Sequence, residues 1–93
     1  MEKTIYKQII KRIVNRITMI IGPVAIMQAN TVKGLHVTAS GDVDIQGDPA
    51  KKIEQLIKAY EVLMGSVAIT IAKKAVKPLL KKNKGLKIPK KLQ

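Results

Sequence analysis

One apolar pattern occurs twice in this chain, 43 positions apart: as IIGPVAIMQA (residues 20–29) and as LMGSVAITIA (residues 63–72). In each copy a single glycine follows a helix-like run and is followed by Pro or Ser. Glycine suits the left-handed conformation that ends many helices, and Pro and Ser suit the first positions of the next one. Each copy is therefore predicted to fold as a helix, a break at Gly22 or Gly65, and a second helix.

The similarity extends outward from the two glycines on both sides. At the same offset, Ile10, Ile13, Val14, Ile20, Gly22, Val24, Ala25, Ile26 and Ala29 correspond to Ile53, Leu56, Ile57, Leu63, Gly65, Val67, Ala68, Ile69 and Ala72. One interpretation is coincidence between two apolar helices that draw on few residue types. The other is a pseudo-symmetric four-helix bundle, in which the small residues Gly22, Ala25, Gly65 and Ala68 let helices approach closely at its centre.

Local signals place the four helices. Isoleucines at three- and four-residue steps predict an amphipathic first helix up to residue 21, and the second is predicted over about residues 23–32. Asp48 and Pro49 predict the start of a third helix that ends at Gly65. The fourth is predicted over about residues 67–77, kinked or ended by Pro78.

Residues 35–46, LHVTASGDVDIQ, have the two-residue period of a small β-hairpin. A three-residue loop over residues 39–41, with Gly41 in the left-handed conformation, gives a register with one apolar face, whereas a two-residue loop would set Val37 against Asp44. The preferred register pairs Val37 with Val43, Leu35 with Ile45 and, on the exposed face, His36 with Asp44.

These elements predict a mainly α fold, a pseudo-symmetric bundle of two helix-Gly-helix units with a small central hairpin. Residues 1–82 are predicted to form the helical domain, and residues 83–93, rich in Lys with Gly and Pro, a flexible basic tail or one that orders on a partner.

Charge is the strongest compositional signal. The chain carries 18 Lys and Arg against 6 Asp and Glu, a net charge of +12, and no acidic residue follows Glu61. Lysine-rich surfaces adapted to heat usually gain Glu as well, and Glu is scarce here. The imbalance therefore favours an anionic partner.

Cytoplasmic location is the expectation. The longest uncharged run, residues 17–32, is shorter than the roughly 20 residues that a membrane-spanning helix needs. The pattern of a cleavable signal peptide is missing, because charged residues interrupt the first apolar run. The chain has no Cys, which excludes a disulfide framework and is consistent with a reducing compartment.

Enzymatic chemistry has little support in the sequence. His36 is the single histidine and lies in the predicted hairpin, where pairing with Asp44 is its expected role. Asp42, Asp44 and Asp48 lack the other ligands of a calcium loop, and no phosphate-binding glycine motif occurs. We therefore expect no catalytic activity, metal site or cofactor.

Clustered lysines and arginines instead predict contacts with the phosphates of duplex DNA or structured RNA. With only two Arg and no Phe or Trp, base-specific recognition is not expected. The candidate contacts lie along one side of the first helix and along the fourth helix into the tail: Lys7, Lys11, Arg12, Arg16, Lys73, Lys74, Lys77, Lys81, Lys82, Lys84, Lys87, Lys90 and Lys91.

Two other classes of function remain open. One is an oligomeric assembly module whose tail docks on an acidic protein, and the other is a peripheral protein bound to an anionic membrane. A fold of 93 residues buries a smaller fraction of its surface than a larger fold does, so much of the apolar surface of this chain would stay exposed in a monomer. We therefore expect a homodimer or higher oligomer, closed by the faces around Gly22 and Gly65.

The IIGPVAIMQA element resembles small helical modules with an L-x-G-P-x-A pattern that occur at the ends of prokaryotic signalling and regulatory proteins. The resemblance implies a protein-interaction role and supplies no catalytic residues. It does not extend to the basic C-terminal residues.

Overall fold

Helices make up most of the chain in the computed structural model, which describes residues 2–92 and the side chains of residues 4–92. The elements of this part of the chain are α1 (Glu2–Ile21), α2 (Val24–Ala29), β1 (Leu35–Val37), β2 (Val43–Ile45), α3 (Pro49–Met64), α4 (Val67–Lys82) and a 3₁₀ turn (Lys90–Leu92). The prediction of a mainly helical fold with four helices and a small hairpin is confirmed.

The most extensive packing between two elements of the described chain is that of α1 against α4. The two helices are antiparallel, because Ile5 lines a groove with residues 83–86 at one end of α1 while Met19 lines another with Ala75 toward the other end. The isoleucines predicted as the apolar stripe of α1 are buried at Ile9, Ile10, Ile13 and Ile17, and α4 buries Ala68, Ala72 and Val76. The small alanines of α4 let bulky isoleucines pack closely against the helix backbone.

The shorter helix α2 is fixed to α3 by side-chain hydrogen bonds. The Tyr60 hydroxyl donates to the Ala25 carbonyl at 2.8 Å, and the Gln28 amide donates to the Ala59 carbonyl at 2.7 Å. Tyr60 is fully buried, and burial raises the pKa of its hydroxyl because the phenolate would lose its hydration. Helix α2 is shorter than expected, ending at Ala29.

The hairpin has the predicted register, with Leu35 opposite Ile45, His36 opposite Asp44 and Val37 opposite Val43. The Thr38 amide donates to the Asp42 carbonyl at 2.9 Å, which closes the three-residue loop, and Gly41 has φ +93°. The Asn30 side chain bonds both the N–H and the C=O of Val37, and this ties β1 to the end of α2.

The predicted ends of α3 are also confirmed. An Asp48 carboxylate oxygen accepts a hydrogen bond from the Ala50 amide at 3.1 Å, Pro49 occupies the first turn, and the helix stops before Gly65.

The fourth helix extends past the expected stop. Pro78 lies inside α4, which continues to Lys82. A proline removes one helical hydrogen bond. Pro78 and Lys74, one turn earlier, are both exposed, so the freed carbonyl can bind water. Burial of Val76 and Leu79 on the opposite side of α4 stabilises the continued helix.

The C-terminal segment, residues 83–92, packs against the helices, which differs from the expected flexible tail. Leu92 is 3% exposed, the Tyr6 hydroxyl donates to the Lys87 carbonyl at 2.8 Å, and the Lys91 ammonium lies 2.8 Å from a Glu61 carboxylate oxygen. The physical reason is apolar content: Leu86 and Ile88 also pack on the core cluster, so the segment buries enough aliphatic surface to offset its ordering.

Replacing Tyr60 by Phe should lower the free energy of unfolding by about 1 kcal/mol at neutral pH, because the bond to the Ala25 carbonyl is lost. Below about pH 10 the hydroxyl is protonated in both states, whereas above it the unfolded state loses the proton first and stability falls. The free energy of unfolding of Tyr60→Phe does not fall in this way. Relative to wild type it should therefore increase by about 1.4 kcal/mol between pH 7 and pH 11. Urea unfolding at both pH values measures this, and a pH-independent difference would contradict the buried hydroxyl.

Replacing Leu92 by Ala should lower the free energy of unfolding by about 2 kcal/mol, the lower part of the range for a buried leucine, since the site lies at the edge of the core. Lys90→Ala is the matched control, because Lys90 is exposed in the same turn. Urea unfolding of both variants is the measurement. Equal stabilities of Leu92→Ala and wild type would mean that the segment is free in solution.

Candidate functional site

A groove along α4 collects five of the predicted phosphate contacts. Its lining consists of Lys73, Lys74, Lys77, Leu80, Lys81, Lys84 and Leu92, and it encloses about 460 Å³. We call it the lysine groove. All five lysines are exposed, while the floor is aliphatic.

Helical spacing explains why these lysines converge. Lys73, Lys77 and Lys81 are four residues apart and therefore share one flank of α4, at steps of about 6 Å along the helix axis. Packing of Ala72 and Val76 against the core turns this flank outward.

The packed C-terminal segment supplies the other wall. It brings Leu92 beside α4, and the ion pair between Lys91 and Glu61 holds it there. Lys91 is therefore engaged within the fold and less available to a ligand than predicted. The remaining predicted contacts of this region, Lys82, Lys87 and Lys90, are exposed outside the groove lining.

The sequence pattern predicts that the four cations of α1 lie on one side of that helix. In the structure they lie on two different sides. Lys7 and Lys11 line a groove with the hairpin loop that includes Asp42, whereas Arg12 and Arg16 line a separate groove beside α4. The reason is geometric, because one step from residue 11 to residue 12 turns about 100° around the helix.

The electrostatics of the lysine groove are one-sided. No carboxylate occurs among the residues that line it, and the two ion pairs of the described chain, Lys58–Glu54 and Lys91–Glu61, involve residues outside its lining. Like charges at four-residue spacing destabilise a helix by a few tenths of a kcal/mol per pair. A bound anion would relieve that repulsion.

The part of the chain that the structure describes contains neither a metal-ligand cluster nor a membrane-spanning helix. Within residues 2–92 no group of three or more His, Asp or Glu residues is arranged to hold a metal ion. Nor does any helix over the same residues combine the length and the apolar character needed to cross a bilayer.

A second surface lies where α1 and α3 end and α2 and α4 begin. These four termini meet at one end of the bundle, because α1 is antiparallel to α4 and each helix pair is joined by a two-residue turn. We call it the apolar end, and its large exposed side chains are Met19, Ile20, Val24, Met27, Val62, Leu63 and Val67.

The two turns at the apolar end have the same backbone hydrogen bonds. The Gly22 amide donates to the Thr18 carbonyl and the Gly65 amide to the Glu61 carbonyl, both at 2.8 Å, and both glycines have positive φ. Positions related by the 43-residue offset are also similarly exposed: Met19 and Val62 at 80% and 79%, Ile20 and Leu63 at 56% and 47%, and Val24 and Val67 at 41% and 49%.

Sequence reasoning placed a contact face around the two glycines but did not name Met19, Met27 or Val62. These residues lie off the apolar stripe of their helices, and that departure is the signal that could have identified them. Leu92 was missed as part of the lysine groove because the segment was expected to be mobile.

Comparison with known proteins gives no relative: no family model, curated protein or solved structure matches this chain.

Replacing Gly65 by Ala should lower the free energy of unfolding by about 1–3 kcal/mol, because its φ of 68° and ψ of −156° lie in a region that is open essentially to glycine alone. An added Cβ would have open space around it, so the effect isolates the backbone. Ser66→Ala is the control, since Ser66 is exposed and its side chain makes no cap bond. Urea unfolding should separate the two variants, and equal stabilities would contradict this turn.

Proposed function

We propose that this chain binds the phosphate backbone of duplex nucleic acid through the lysine groove, without strong sequence specificity. The single observation that carries the proposal is the convergence of Lys73, Lys74, Lys77, Lys81 and Lys84 on one groove whose described lining includes no carboxylate. Ammonium groups so arranged neutralise phosphates and release counterions.

The exposure of the lysines favours a polyanion over a small anion. A site for one small anion needs converging, desolvated donors, whereas no charged side chain of the described residues is fully buried. The lysines instead follow α4 over two turns, from Lys73 to Lys81, about 12 Å along the axis. An extended ligand with repeated negative charges matches this line.

The same features argue against reading of bases. Tyr6 and Tyr60 are both buried, with their hydroxyls bonded to backbone carbonyls, so neither ring is free to stack on a base. Arg12 and Arg16 lie in a separate groove from the lysines. Binding therefore depends on phosphate contacts and is sensitive to salt.

The triple variant Lys73→Gln, Lys77→Gln, Lys81→Gln tests the proposal. If all three lysines contact phosphate, the slope of log affinity against log salt for duplex DNA should shrink by about 2.7 units, from about 0.9 per contact. Fluorescence anisotropy over a salt series measures it, with random and defined duplexes expected to weaken alike. Deletion of residues 83–93 is a poor substitute, because Leu92 belongs to the core.

The matched control is Lys33→Gln, Lys51→Gln, Lys58→Gln, which removes the same charge from exposed positions outside the groove. It should keep nearly the wild-type slope. If wild type fails to bind duplex DNA or RNA even at ~50 mM salt, where counterion release is strongest, the proposal fails. Binding to anionic vesicles or to an acidic protein alone would then assign the groove to that partner.

A further inference from the structure

We infer that the apolar end is a dimerisation surface and that a second copy of this chain covers it. The inference is independent of the lysine groove. Three side chains here are at least 70% exposed, Met19, Met27 and Val62, and four more are at least 41% exposed. Seven exposed apolar side chains at one end of a small protein mark a contact with another molecule more often than an isolated exposed residue does.

The charge distribution favours a second copy over an anionic partner at this surface. Residues 17–32 and 62–72, which supply the whole apolar end, contain no ionisable side chain, although the chain carries +12. Glu61, next to this surface, is paired with Lys91. An acidic protein or an anionic membrane would gain no electrostatic attraction from this uncharged face, whereas two copies that repel each other elsewhere can approach here.

Nearby cations are compatible with that approach. On α4 the first lysine, Lys73, lies six residues beyond Val67, about 9 Å along the axis. If two copies meet at their apolar ends, the Lys73 side chains of the two copies are separated by more than this distance, which is itself about one Debye length at physiological salt, so the repulsion between the two lysine grooves is largely screened. Arg16, which shares a groove with Met19, lies at the rim of the surface.

The repeat gives the surface two similar halves. One half comes from Met19, Ile20 and Val24, and the other from the residues 43 positions later, Val62, Leu63 and Val67, with similar exposures. A two-fold dimer needs a self-complementary surface in which each half meets the other half of the partner. Apart from Met27, whose counterpart 43 positions later is the polar Thr70, the two halves are similar in size and apolar character, which favours such a pairing.

The exposed area is sufficient for a modest dimer. The seven exposed fractions amount to roughly four whole side chains, or about 250–500 Å² of apolar surface per copy. At the apolar share of about 65% that is typical of homodimers, the two copies would bury about 800–1,500 Å² in total. This range includes the lower limit of stable specific interfaces, about 1,200 Å².

Sedimentation equilibrium of protein free of nucleic acid tests the inference, over about 5–500 μM at about 150 mM salt. The average mass of wild type should rise from 10.2 kDa toward twice that value. In the double variant Met19→Lys, Val62→Lys, like charges meet inside the interface, and the dissociation constant should rise more than 10-fold. Both sites are about 80% exposed, so the fold should persist, which circular dichroism checks.

Gln8→Lys with Gln55→Lys adds the same charge at exposed positions outside the apolar end and should dimerise like wild type. Wild type that stays at 10.2 kDa up to the highest concentration would overturn the inference, as would a double variant that dimerises normally. A mass that grows beyond two copies would also overturn it, because a closed two-fold contact stops at the dimer. Failure of DNA binding leaves this result unaffected, since no nucleic acid is present.

Discussion

Two short turns, each only two residues long, constrain the rest of this structure. Gly22 and Pro23 separate α1 from α2, and Gly65 and Ser66 separate α3 from α4. A turn this short holds the ends of the two helices close together. Because of this, the apolar side chains next to each glycine cannot all point into the core, and some of them face solvent. Ile17 and Ile57, farther from the turns, are fully buried, while Met19 and Val62, three residues before the glycines, are about 80% exposed. The core and the apolar end are therefore two consequences of one local geometry.

The parts of the fold that depend on local chemistry could be predicted from the sequence. The register of the hairpin follows from alternating apolar residues and Gly41, and the start of α3 follows from Asp48 and Pro49. The parts that depend on distant contacts could not. Continuation of α4 past Pro78 depends on the burial of Leu79, and the order of the C-terminal segment depends on contacts of Leu92. Local rules about Pro, Gly and charge carry no information on such contacts.

The candidate site divides in the same way. The convergence of the α4 lysines could be predicted, because they belong to one helix and the helical period places them on the same flank. Cations of α1 divide between two grooves, since Lys11 and Arg12 are adjacent in sequence and point toward different neighbours, the hairpin loop and α4. Only the tertiary arrangement decides which neighbour lies on each flank. Leu92 lies ten residues past the end of α4, so the helical period could not predict its place in the groove.

The lysine groove and the apolar end are separate surfaces, so nucleic-acid binding and dimerisation can occur together. The lysine groove begins about two turns of α4 beyond the apolar end, so two copies joined at their apolar ends would leave both grooves open. Each groove alone would bind phosphates weakly and with strong salt dependence. Two grooves on one dimer would make the second contact with a long polyanion intramolecular, which raises the affinity without any new type of contact. Dilution below the dimer dissociation constant would then weaken binding to a long duplex more than binding to a duplex that spans only one groove.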